Sequence, residues 1–309
     1  DISLEGMFRG TPARRPSHME TKALLDASSL IDLEHGQPLS FEELDKVLRE
    51  HHARLVLTRT NVLGLSVGAQ GTDDYLELRD ILQKIERLPH VYLGEGRILY
   101  GELKEAVAAF NERREFTTIN PLVKRWDETL VLYGPSPAEM LVNQRLDDFV
   151  FMHWKTGSLR LNGTKWADLI RGQFEQDRKL PTAVRKSPRR HFPMTVRMHL
   201  AELLISFPED KVQQLAHWIY ENPARCPGFR FAYEWRQELM NNLNEKVTEN
   251  DISDRTYAMA IPYVDATTLD RNTADLCRRV SRRLHKQCLA IKYEDRIFAS
   301  LKELLNAKF

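Results

Sequence analysis

Short apolar runs and helical patterns alternate at both ends of the chain. Lys22–Leu25 is an apolar run that ends at Asp26 and gives way to a helical pattern, and Ala53–Leu57 and Ala266–Leu269 are further strand-like runs. Apolar runs this short, bounded by polar residues, are typical of buried parallel strands. We therefore predict an α/β fold in which a short central parallel sheet has helices on both faces.

The middle of the chain has a different pattern. Apolar residues there recur at three- and four-residue spacing, interrupted by breaks such as Gly134–Pro137 and Pro223–Gly228. This spacing predicts an all-helical insertion over 113–245, between two parts of the α/β core at 19–112 and 246–309. We expect the insertion to serve as a lid or a partner-binding body.

Composition narrows the class of protein. The chain has 309 residues, a net charge of +1 and three cysteines. An odd number of widely spaced cysteines argues against a disulfide framework, and no stretch approaches the roughly 18 apolar residues of a membrane span. We expect a cytoplasmic protein without membrane contact. Residues 1–18 are polar, and Ser17-His18-Met19 indicates the joint between an expression leader and a native start.

Acidic residues flank the predicted strands. Asp26 follows the first run, Asp265 and Asp270 flank the last one, and Asp254 lies one predicted helix earlier. Carboxylates that converge where parallel strands end supply the oxygen ligands that hard divalent cations prefer. The pattern favours metal-assisted phosphodiester cleavage. The alternative is that these acids only cap helices, since Asp commonly accepts hydrogen bonds from the free N–H groups at a helix start.

These segments resemble the PIN-domain nucleases, a family of metal-dependent ribonucleases and related enzymes. The opening segment resembles the family's first strand and its closing Asp26, and the late segment resembles the family's pattern of Asp254, Pro262-Tyr-Val-Asp265 and Thr268-Leu-Asp270. The resemblance implies Mg²⁺ or Mn²⁺ bound by Asp26, Asp254 and Asp270, with Asp265 as a ligand or beside one. In such a site we expect Thr268, together with Ser28 or Ser29, to orient a ligand or a water by hydrogen bonding.

One position departs from the family pattern. The family places a Glu in the helix after its second strand, where this chain has Gly64. A metal site that lacks one carboxylate holds its cation less firmly. Glu77 and Glu102 are the nearby acids that could compensate, and we favour Glu102 as the residue that completes a second metal site.

Two basic stretches are candidates for binding nucleic acid. Residues 178–191 contain six cations, no acids and two prolines, which predicts an exposed basic loop. A second group follows Asp270 and shares one face of a predicted helix. Its alternative interpretation is a solvated face paired with local acids. The candidate phosphate-binding residues are Arg185, Lys186, Arg189, Arg190, Arg278, Arg279, Arg282, Arg283 and Lys286.

The sequence as a whole predicts a metal-dependent nuclease with RNA as the favoured substrate. Two alternatives stay open. One is a degenerate nuclease-like module that binds RNA or protein without cleaving, which the glycine at position 64 favours. The other is a helical interaction protein of a toxin or defence system, in which the acids are caps. A regulatory protein partner fits each of them, and the oligomeric state is left open.

Overall fold

The computed structural model describes residues 20–66, 72–130, 172, 175–176, 178–241 and 249–308. The expected leader at 1–18 lies outside these residues, as does the part of the predicted insertion at 131–171.

A six-stranded sheet forms the centre of the molecule. Its order is β4-β3-β2-β1-β5-β6, and every neighbouring pair is parallel except β3 and β4. The mixed α/β class with a mostly parallel sheet is therefore confirmed. The strands are β1 (Thr21–Leu24), β2 (Ala53–Thr58), β3 (His90–Leu93), β4 (Leu122–Val123), β5 (Ala266–Thr268) and β6 (Ile297–Phe298).

Helices connect these strands, and local sequence explains where several of them begin. Ser40 caps the second helix in a capping box with Glu43, while Asp26 and Asp270 cap two others. The helices of the described residues are α1 (Ala27–Glu34), α2 (Phe41–Glu50), α3 (Arg59–Ser66), α4 (Thr72–Arg87), α5 (Glu95–Glu112), α6 (Thr182–Arg185), α7 (Pro188–Glu202), α8 (Val212–Glu221), α9 (Pro227–Asn241), α10 (Glu249–Ala260), α11 (Arg271–Gln287) and α12 (Leu301–Lys308). None of them is long and apolar enough to cross a membrane.

The two faces of the sheet have different covers. Alternate strand residues such as Ala23 and Leu55 belong to one buried cluster with α1, α2 and α4. Leu24 and Val56 point the other way and join a cluster that includes Trp235 of α9. The region predicted as a helical insertion thus supplies both a strand, β4, and a helix that covers the central sheet.

Candidate functional site at the carboxyl edge of the sheet

Asp26 lies at the carboxyl end of β1 and is anchored by the neighbouring strand. Its Oδ1 accepts hydrogen bonds from Thr268 Oγ1 at 2.9 Å and from the Ser29 backbone N–H at 3.2 Å. Its Oδ2 accepts a hydrogen bond from Ser28 Oγ. The Asp26 backbone N–H in turn donates to Thr268 Oγ1 at 3.0 Å, so β5 fixes both the main chain and the carboxylate. Asp26 is largely buried, with 9% of its surface exposed to solvent.

Asp254 and Asp270 meet through one threonine. Asp270 caps α11 by accepting from the backbone N–H of Asn272 at 2.9 Å and of Thr273 at 3.2 Å. Thr273 Oγ1 donates to Asp254 Oδ2 at 2.6 Å. The capping role expected of Asp270 is therefore present. Asp254 lies inside α10, which begins five residues earlier at Glu249, so the alternative that it is a helix cap is wrong.

A buried tyrosine lies among these acids. Burial raises the pKa of Tyr257 well above its ordinary value, and the negative charges of Asp26, Glu95 and Asp254 raise it further. The Tyr257 hydroxyl accepts a hydrogen bond from Asn61 Nδ2 at 3.0 Å. Three carboxylates from distant parts of the chain therefore act electrostatically on one phenol.

Glu95 is an acid at this edge that the sequence interpretation missed. It opens α5 two residues after β3 ends, and its Oε1 accepts a hydrogen bond from the Thr60 backbone N–H at 3.1 Å. Burial raises its pKa, while hydrogen bonds from Thr60 and Thr58 and the charge of Arg59 act in the opposite direction. The signal was available, since Glu95 follows an apolar strand in the same way as Asp26 does.

Gly64 occupies a close contact between α1 and α3. A Cβ atom at this position would lie 2.8 Å from Ala27 Cβ, which is closer than van der Waals contact allows. The glycine is therefore a packing requirement in this chain. An acidic side chain fits here only if the two helices move apart.

Glu102 does not take part in the site at the carboxyl edge. Its side chain is fully buried and accepts from the backbone N–H groups of Gly228 and Phe229, both at 2.7 Å, and from the Tyr263 hydroxyl. Two of these donors are N–H groups in the first turn of α9, which have no partner within the helix. Glu102 therefore accepts the hydrogen bonds that the start of this helix would otherwise leave unmade. The hypothesis that it completes a second metal site is corrected by these contacts.

Asp265 lies at the opposite edge of the sheet. It precedes β5, and its Oδ2 accepts from the Lys22 backbone N–H at 3.0 Å. Lys22 is near the start of β1, whereas Asp26 follows its end. With a rise of about 3.3 Å per residue, the length of the strand separates the two acids. Asp265 is therefore not a ligand in a site built around Asp26.

The basic face of α11 is largely occupied by acids, as its alternative interpretation expected. Arg278 pairs with Asp275 and Glu303, Arg282 with Glu294, Arg279 with Glu238, and Arg283 with Glu234 and Glu238. Lys286 is exposed.

The stretch at 178–191 is helical over much of its length, which corrects the predicted loop. Ser187-Pro188 opens α7 with a proline in the first turn, a favoured position for it. Arg185 is buried and donates to the Leu180 carbonyl at 3.0 Å, and Arg189 pairs with Glu221 at 3.2 Å. Lys186 and Arg190 are exposed.

The donor chemistry at the carboxyl edge fits a hard cation, although the spacing of the acids is wide. Carboxylate oxygens accept about four hydrogen bonds or metal bonds per group, and Asp26 and Asp270 retain acceptor capacity beyond their present contacts. Within the described residues, no group of three or more His, Cys, Asp or Glu side chains is close enough to hold a metal ion. Mg²⁺ usually keeps several waters and binds through one or two carboxylates, so these residues fit a partly hydrated ion.

Comparisons with models of protein families, with curated proteins and with solved structures find no match to this chain.

Proposed function

We propose that this protein is a metal-dependent nuclease, with RNA as the favoured substrate, and that its site lies at the carboxyl edge of the sheet. One observation carries the proposal: Thr268 ties Asp26 to a strand 242 positions away, and Thr273 joins Asp254 to Asp270 at the same edge. Ligand sites in open parallel sheets occur at this edge. The resemblance of these segments to PIN-domain nucleases supplies the reaction class.

The residues of the site have distinct roles in this proposal. Asp26, Asp254 and Asp270 would supply the carboxylates for a partly hydrated Mg²⁺ or Mn²⁺, one or two of them binding it directly and the others through its waters. When bound, the ion lowers the pKa of a water and neutralises charge on a phosphate. Thr268 and Ser28 fix the Asp26 carboxylate by hydrogen bonding, so that one orientation is presented to the ion. Glu95 replaces Glu102 as the further carboxylate near the site, with a raised pKa that suits proton transfer.

The direct test is cleavage of a fluorescently labelled single-stranded RNA during titration with Mn²⁺. We expect the Asp26→Asn variant to lose at least 100-fold in cleavage rate, because the amide keeps the side-chain shape but removes the negative charge. Asp265→Asn is a matched control at the opposite edge of the sheet and should cleave at the rate of the unmodified protein. Equal rates for all three proteins would overturn the assignment of the site.

A second candidate function is a nuclease-like module that binds RNA without cutting it. The close packing of Gly64 against Ala27 favours it, because the acid expected at that position is excluded. A filter-binding or anisotropy measurement separates the two functions. Retained RNA binding without cleavage at any Mn²⁺ or Mg²⁺ concentration supports the binding module, and metal-dependent product formation excludes it.

A further inference from the structure

A small cleft between α7 and α9 has no role in the proposed chemistry. Its volume is about 250 Å³, below the usual range for sites of drug-sized ligands. Four apolar side chains form much of its wall, and Met194 and Met198 are among the most exposed apolar residues of the described chain. The apolar lining consists of Leu180, Met194, Met198 and Met240.

A buried amide in this cleft lacks a hydrogen-bond donor. Gln237 lines the cleft from α9 and is 4% exposed, and its Oε1 accepts no hydrogen bond from any part of the chain that the structure describes. Buried polar atoms in native proteins nearly always have a partner. The amide oxygen therefore indicates a ligand that brings an N–H or O–H donor into the cleft.

Two cationic side chains lie on the same cleft. Arg185 lines the cleft with its guanidinium held by Thr182 Oγ1 at 3.2 Å, and Arg236 lines it as well.

We propose that this cleft binds one nucleotide, with the base against the methionines and Gln237 and the phosphate beside the arginines. Thioethers make favourable contacts with flat aromatic rings, every nucleobase carries N–H donors, and arginine is the preferred partner of phosphate. The backbone N–H groups of an acidic peptide would satisfy the amide and its carboxylates the arginines, but its acidic side chains leave the methionine wall without an apolar or aromatic partner. The inference rests on the proposed function only in expecting the bound nucleotide to be part of a polynucleotide strand.

The test is isothermal titration calorimetry of the full chain with adenosine monophosphate in EDTA. We expect saturable binding at millimolar nucleotide, with ribose 5-phosphate binding at least 10-fold more weakly. Gln237→Leu removes the amide oxygen without leaving a donor unpaired, and it should weaken binding at least 10-fold. Gln213→Leu, an exposed glutamine of α8, is the matched control and should bind as the unmodified protein does.

Three results would overturn the proposal. One is absence of binding by the unmodified protein, and another is equal affinity of the Gln237 variant. The third is saturable binding of a Glu-rich peptide while the nucleotide gives no heat, which would assign the cleft to a protein partner. Since no metal is present, failure of the nuclease proposal would leave this measurement unaffected, and loss of nucleotide binding would leave the cleavage test intact.

Discussion

At the scale of single residues, Thr268 has the most connected position at the candidate site. Its hydroxyl donates to the Asp26 carboxylate and accepts from the Asp26 backbone N–H and from Ser29 Oγ. The side chain is fully buried, so no solvent replaces these bonds when they are removed.

We expect Thr268→Val to lower the free energy of unfolding by about 1–3 kcal/mol, because the change leaves buried groups of Asp26 and Ser29 unsatisfied. Urea unfolding measures this change. Thr267→Val is the matched control, since Thr267 is equally buried but its hydroxyl makes one 3.3 Å bond to a neighbouring carbonyl. Equal losses in the two variants would contradict the anchoring role of Thr268.

Glu102 gives a prediction about pH. Burial raises its pKa to about 7, against hydrogen bonds from Tyr263, Phe229 and Gly228 that lower it. The folded protein therefore binds a proton in the window between about pH 4.5 and 7 where the unfolded chain does not. Because stability falls with rising pH wherever the folded state holds more protons, this group should reduce stability by at most about 1.4 kcal/mol per pH unit across that window.

The measurement is urea unfolding of the unmodified protein and of Glu102→Gln between pH 4.5 and 8. The variant cannot titrate at this position, so the difference in unfolding free energy between the two proteins should change across the window and become constant above it. A difference that is independent of pH would contradict the prediction.

At the scale of elements, whether an acid precedes or follows its strand decides the edge of the sheet at which the acid lies. Parallel strands bring the residues that follow them to one edge, which is why the placement of Asp26 and Asp270 at the same edge could be predicted from sequence. Asp265 precedes its strand and so lies at the other edge. Glu102 was misread because helical periodicity does not reveal which helix start a buried carboxylate faces across 126 positions of chain.

The contact of α1 with α3 can be tested by changing its glycine. Gly64→Ala places a Cβ atom against Ala27 and should destabilise the protein by about 1–3 kcal/mol, with α1 and its cap Asp26 displaced. Gly101→Ala is a matched helical control, because its Cβ would meet the movable end of the Ile119 side chain. Chemical unfolding should show the smaller loss at position 101, and the opposite order would contradict the packing account.

At the scale of the whole molecule, metal binding should increase the stability of the folded protein. An ion that binds only the folded state stabilises it by about 2.7 kcal/mol at 100 times its dissociation constant. We expect millimolar Mn²⁺ to raise the melting temperature of the unmodified protein and to leave that of Asp26→Asn nearly unchanged. Differential scanning calorimetry measures both. An unchanged melting temperature in the unmodified protein would favour the interpretation of the acids as helix caps.

Strands β1, β2 and β5 were predictable at this scale because they are short, apolar and bounded by polar residues, whereas β4 and β6 have only two residues each and were not predicted. The position of the middle segment could not be predicted. The periodicity of α9 indicates that one face of the helix is buried, but it does not indicate which element covers that face. Phe231 and Trp235 of α9 belong to the same buried cluster as Leu24 and Val56 of the sheet, and no local pattern encodes an association between positions about 200 apart.

The packing of α9 in this cluster limits how the protein can be shortened. A truncated version that joins 112 directly to 246 would lack β4 and would expose the apolar side chains of this cluster that now pack with α9. Newly exposed hydrophobic surface of this kind promotes self-association. A shortened version of the chain should therefore keep α9, since its removal would favour aggregation.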